Sequence, residues 1–166
     1  MTRRRNRTEG DAPRRSAYDR ALEMLARREH SQRELRARLD RNGYDEVDAD
    51  AALARLHDQN YQSDTRFAEM LLRSRVAQGY GPRRIRAELA VHGVSGATAQ
   101  ALLAASATDW LALATAQLRR HFGSAGTRAV AERARRAQYL LRRGFDASTV
   151  RSATHAELDE ASDDAD

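Results

Sequence analysis

Leu39-Asp40-Arg41-Asn42-Gly43-Tyr44 returns as Leu89-Ala90-Val91-His92-Gly93-Val94 and again as Leu140-Leu141-Arg142-Arg143-Gly144-Phe145. In each copy a glycine stands four positions after a leucine and is followed at once by an apolar residue. This is the pattern of a helix that ends on a left-handed glycine. Lacking a Cβ, glycine takes positive φ without strain, and the apolar residue beyond it folds back onto the leucine of the last turn. The three glycines are 50 and 51 residues apart. A period of that size marks stacked helical units, none of which can bury its apolar face alone. The spacing predicts an all-α chain: three tandem three-helix repeats forming an elongated, curved, solenoid-like molecule.

The residues around each glycine complete a unit. Leu35 and Leu39 correspond to Ile85 and Leu89, each pair four apart and so on one helical face. Ser31-Gln32-Arg33-Glu34 opens the first of these helices with capping-box spacing, and Gly81-Pro82 holds the same place in the second, with proline at the first helical position. A preceding helix is expected from about Ala17 to Arg28 in unit one and from about Thr65 to Gln78 in unit two. A following helix carries Ala49, Ala52, Leu53 and Leu56, matched by Ala99, Leu102 and Leu103. In unit three Trp110 to Phe122 gives an amphipathic helix, broken at Gly123-Ser124-Ala125-Gly126. Ala129 to Arg143 forms the next, and Asp146 caps a third. The expected boundaries are a disordered basic tail at 1–15, repeats at 16–63, 64–106 and 107–156, and a disordered acidic tail at 157–166.

Length and composition agree with one domain's worth of helix. The chain has 166 residues, 41% apolar and 32% charged, with nine aromatics and two prolines. No run approaches the ~20 apolar residues of a membrane-spanning helix. The Met-Thr-Arg-Arg-Arg start lacks the apolar stretch of a secretory signal. Without cysteine there is no disulfide, thiol nucleophile or zinc-thiolate site, so a cytoplasmic protein is expected.

All 29 basic residues are arginine, and the net charge of +5 is unevenly spread. Residues 16–63 carry net −2, 64–106 net +3 and 107–156 net +6. A positive surface of guanidinium forks over the middle and C-terminal thirds suits phosphates or carboxylates.

Few residues carry the pattern of a catalytic or metal site, and no enzyme, cofactor or metal is expected. His30 and Glu34 lie four apart, but no second cluster completes a metal site. His92 precedes a helix-ending glycine, and His57, His121 and His155 stand in no motif. No Gly-x-Ser-x-Gly turn supports a hydrolase. Gly79-Tyr80-Gly81-Pro82-Arg83-Arg84 is a glycine-bearing turn that opens a helix with two arginines in its first turn. Free amides and a positive dipole end make that an anion site; the alternative is an interhelical turn whose arginines point to water. Tyr80 either stacks on a partner or covers the helix junction. Tyr44, Phe145 and Trp110 are read as core.

Asp64-Thr65-Arg66-Phe67-Ala68, Arg73-Ser74-Arg75, Gly79-Tyr80-Gly81-Pro82-Arg83-Arg84-Ile85, Leu89 and Gly93-Val94 together resemble the RecX family of bacterial recombinase regulators. The Leu-Leu-Arg-Arg-Gly-Phe ending of unit three fits as well, and the resemblance spans about residues 16–156. It implies a partner, the RecA recombinase and its filament on single-stranded DNA. It also implies an action: inhibition of ATP hydrolysis, strand exchange and co-protease activity from within the filament groove. The contact set expected on this chain is Arg73, Arg75, Tyr80, Arg83, Arg84 and Arg86, with Arg142 and Arg143 in unit three. Ser31, Glu34, Gly43, Gly93 and Gly144 are expected to be structural caps. A monomer is expected, with weak direct DNA binding. The rivals are a direct DNA-binding protein of helix-turn-helix type and a helical scaffold for another protein. Against the first, no single helix joins the arginines to Asn or Gln base readers.

Overall fold

The three repeated helix ends form the same backbone knot. At each, the residue after the glycine donates its N–H to the leucine carbonyl: Tyr44 to Leu39 at 3.2 Å, Val94 to Leu89 at 3.0 Å, Phe145 to Leu140 at 3.2 Å. Each glycine N–H donates three residues back, to Asp40, Ala90 and Leu141. The glycines sit at φ +78°, +87° and +89°. This is the Schellman arrangement, which satisfies carbonyls that a helix end leaves open. Gly93→Val should therefore cost about 2 kcal/mol by forcing a β-branched residue into the left-handed region; thermal melting checks it, and an unmoved Tm contradicts the cap.

Two further ends of the same kind carry no Leu-x-x-x-Gly signature. After Leu56, Asn60 takes the left-handed position at φ +59° and Tyr61 N–H donates to Leu56 O at 2.9 Å. After Arg75, Gly79 takes it, with Tyr80 N–H donating to Arg75 O at 3.0 Å. Asparagine tolerates this conformation better than most residues.

The computed structural model describes residues 15–123 and 129–163, the stretch 156–163 as backbone course alone. Among the described residues there are nine helices and no strand. Apart from Arg15, the basic tail lies outside them, as do Ser124, Ala125 and Gly126. Helices α1 (Ala17–Leu25), α2 (Gln32–Arg41) and α3 (Glu46–Asp58) form one compact unit that ends at Ser63. Side chains of Ser16, Ser31 and Asp45 cap them, each accepting the N–H three residues on. Ala21, Met24, Leu35, Leu39, Leu53 and Leu56 make the core. Helix α1 stops short of Arg28: its last turn tightens, Arg27 N–H bonding to Met24 O.

A second compact unit begins at Asp64 and holds two three-helix sets. The first is α4 (Asp64–Ala77), α5 (Pro82–Val91) and α6 (Gly96–Ala105), packed around Phe67, Leu71, Ile85, Leu89 and Leu103. The second is α7 (Trp110–Phe122), α8 (Val130–Arg143) and α9 (Ala147–Asp163), around Leu118, Leu140, Phe145 and Val150. Trp110 packs against both cores and joins them. Helix α9 runs beyond residue 156 into the stretch expected to be a tail. Its continuation, Ala156-Glu157-Leu158, is made of strong helix formers.

Candidate functional site

The turn between α4 and α5 is where sequence and structure part company most usefully. Gly81 caps α5 with no side chain and Pro82 takes the first helical position, as the sequence implies. The amides beyond them, however, are not open to an anion. Gly81 N–H donates to Arg143 O and Arg83 N–H to Gly144 O, both at 2.9 Å. The carbonyls ending α8 thus serve the amides opening α5, negative dipole end to positive. Of the two readings left open for this turn, the backbone anion site finds no free place, because another helix end already holds the position.

The docking is tight enough to explain a glycine whose φ is ordinary. A Cβ on Gly81 would lie 2.4 Å from the Gly144 carbonyl carbon and 2.4 Å from Phe145 N. Across the seam, a Cβ on Gly144 would lie 2.4 Å from Arg84 Cβ. Where the first repeat has Ser31, the second has emptied the position so that a helix end can enter.

Side chains reinforce the seam. Tyr80, half-buried against the α4–α6 core, has the Arg84 guanidinium 4.2 Å and the Arg143 guanidinium 4.9 Å from its ring centre. Arg143 also donates from Nε to Tyr139 Oη and from Nη1 to Gln78 O, each at 2.9 Å. Tyr80 therefore covers the junction, the second of the two roles open to it. Arg75 is occupied as well. It grips Glu88 through two hydrogen bonds, Nε to Oε2 at 2.7 Å and Nη2 to Oε1. The Glu88 hydrogen bond raises the Arg75 pKa, and Arg75 lowers that of Glu88.

Of the expected contact residues, the structure gathers Tyr80, Arg84 and Arg143 into one cluster. Arg73, Arg83, Arg86 and Arg142 stand exposed outside it, with no carboxylate partner among the described residues. Arg83 and Arg86, three apart on α5, share a face.

The equivalent place in the first repeat has the opposite electrostatics. Ser31 Oγ accepts Glu34 N–H at 3.1 Å, so the cap forms as expected. The Glu34 carboxylate takes Arg28 at 2.6 Å, Arg38 at 3.0 Å and His30 Nδ1 at 3.0 Å. Burial pushes the Glu34 carboxyl up, but the Arg28 hydrogen bond and His30 more than offset it and hold it at about 2. His30, 4% exposed, is lowered chiefly by burial, against the pull of Glu34. Arg36 is ringed by Asp40, Glu46 and Asp50. No group of three His, Asp or Glu able to hold a metal occurs among the described residues.

Sequence reading missed Gln117, Arg120, His121 and Tyr139, which the fold brings beside Tyr80 and Arg143 around one polar cleft. Their helices meet the turn only through tertiary packing. The available signal was Gly81, a glycine that local backbone geometry does not require.

Comparison with known proteins follows the same divisions. Family models described as the first, second and third three-helix domains of RecX match residues 17–56, 63–103 and 107–154. A protein named regulatory protein RecX from Xanthomonas axonopodis pv. citri is 43% identical over 141 residues, 85% of this chain and 87% of the relative. One of the same name from Stenotrophomonas maltophilia has 43% identity over 85% of this chain and 86% of its own length. The crystal structure of RecX from Lactobacillus salivarius superposes with a TM-score of 0.72 at 19% identity, covering 85% of this chain and 94% of that one. At that identity the likeness speaks for the fold, an all-α tandem repeat.

Proposed function

The chain belongs to the RecX family of regulatory proteins, and from that premise we propose that it binds the RecA recombinase and its filament on single-stranded DNA. Acting as a cytoplasmic monomer in the filament groove, it restrains ATP hydrolysis, strand exchange and co-protease activity. No described helix is long and apolar enough to cross a membrane, which suits that setting.

One contrast supports the choice of surface. On α2 of the first repeat, Arg33 is open like its counterpart Arg83, but Arg36, the counterpart of Arg86, is tied to three carboxylates and Arg38 to a fourth. On α5 of the second, Arg83 and Arg86 are exposed and carry no carboxylate partner, and Arg73 on α4 is equally open. Unneutralised, exposed guanidinium groups form the charge-assisted contacts that an acidic protein groove with nucleic acid inside it would supply. Many modest contacts spread along repeats add up on a repeating partner.

The test is ATP hydrolysis by RecA on single-stranded DNA, with and without this protein. Inhibition is expected at stoichiometric ratios. Arg83→Glu with Arg86→Glu, both exposed and outside the seam, should keep the helicity but raise the half-inhibitory concentration about tenfold or more, the scale of a lost charged contact. Unchanged inhibition removes that face of α5 from the mechanism. No inhibition at all, alongside tight sequence-specific duplex binding, would favour the DNA-binding reading.

A further inference from the structure

Beside the seam, the α4–α5 turn, α7 and α8 border an open cleft of about 540 Å³. Gln78 and Tyr80 line it from the turn, Gln117, Arg120 and His121 from α7, Tyr139 and Arg143 from α8. No carboxylate of a described residue lines it, and its size falls within the ~300–1,000 Å³ of ligand pockets. We propose that this cleft binds one nucleotide unit, its phosphate on Arg120 and Arg143 and its base against the His121–Tyr139 stack.

Each part of the ligand has a matching feature. Arg143 is already held by Tyr139, Gln78 O and the Tyr80 ring, so little side-chain freedom is lost when it meets an anion. Its Nη2 keeps its hydrogens unshared among the described residues. Arg120 is exposed and has no carboxylate partner there. Two guanidinium groups with no acid between them select a phosphate-bearing ligand. His121 and Tyr139 lie parallel, 4.3 Å apart and 7° from coplanar, and exposed His121 continues the stack outward for a further flat ring.

Gln117 adds a polar group beside the two arginines and the stack. It is 6% exposed, lines the cleft, and its amide has no hydrogen-bond partner among the described residues. A Cβ on Gly79 would fall 2.2 Å from the Gln117 amide carbon, so the amide lies directly against the turn. The amide opens to solvent in the cleft, and a group carrying both a donor and an acceptor suits the edge of a base. The unit can come from a free nucleotide or from a single strand. Both offer the same phosphate and base.

The test uses the full chain without recombinase, so it stands apart from the inhibition assay. Fluorescence anisotropy follows a labelled oligothymidylate of about ten nucleotides across a salt series, with thymidine monophosphate as competitor. Arg120→Glu should weaken binding about tenfold and lower the salt slope by about one. Gln117→Leu should weaken binding with the slope unchanged, since it alters no charge. Arg151→Glu, an equal charge change at an exposed position of α9, is the control and should have a much smaller effect. Displacement by the mononucleotide identifies a free nucleotide as sufficient; binding of the strand alone identifies the strand. Absence of binding by the unaltered chain at low salt, or equal losses in Arg120→Glu and Arg151→Glu, overturns the proposal. Should Gln117→Leu lose helicity, the exposed Arg120 still decides.

Discussion

Gly81→Ala is expected to lower the stability of the second unit by about 2–6 kcal/mol, although alanine is at ease with the local backbone. The new methyl would fall 2.4 Å from backbone atoms of Gly144 and Phe145, where no flexible side chain can yield. Relief requires α8 to withdraw, which breaks the Gly81-to-Arg143 and Arg83-to-Gly144 hydrogen bonds. Each such bond is worth about 0.5–1.5 kcal/mol net, and overpacking adds about 1–3 kcal/mol. For a unit of this size the fall in Tm should reach about 10 °C or more. Hydrogen exchange at the Arg83 amide gives a local readout and should quicken. Gly96→Ala is the control: nothing lies within 4 Å of the Cβ it would gain, so no loss is expected. Equal melting of the two variants would contradict the seam.

Phe145→Ala should cost about 3–5 kcal/mol, the range for removing a buried phenylalanine. Phe145 is fully buried among Leu118, Leu140, Val150 and Ala153, and is also the residue that closes the α8 cap. Its counterpart Tyr44 is only half-buried, its hydroxyl donating to Arg15 O at 2.8 Å. Tyr44→Ala should therefore cost clearly less. Chemical denaturation of both variants measures the difference, and equal losses would show that Phe145 is not the core residue its burial indicates.

The helix ends were legible because what they need is local. Gly43, Gly93 and Gly144 each answer a backbone requirement set within six residues of chain, and the leucine before and apolar residue after report it. Ser31 and Pro82 were legible for the same reason. Asn60 was not, because asparagine has several uses and its left-handed angle shows only once the chain is folded.

The candidate site was harder to read because its members meet through packing. Arg75 faces Glu88 across two helices, and nothing in Arg73-Ser74-Arg75 distinguishes the paired arginine from the open one. Arg143 and its exposed neighbour Arg142 look alike in sequence, yet Arg143 is bound to Tyr139, Gln78 and Tyr80. Charge counts along a chain locate a basic region. Which of its cations are spent inside the fold depends on the partners that tertiary contacts deliver.

The entry of one helix end into the position beside Gly81 means that the modules are not interchangeable parts. A chimera carrying residues 16–63 in place of 64–106 would keep the periodic leucines and the terminal glycine. It would present Ser31, with a Cβ and a hydroxyl, at the socket that α8 must occupy, and Glu34 where Arg84 lies against Gly144. Duplication can copy such a module, but its descendants acquire an order. Shuffling them should then yield chains whose modules form individually and fail to couple.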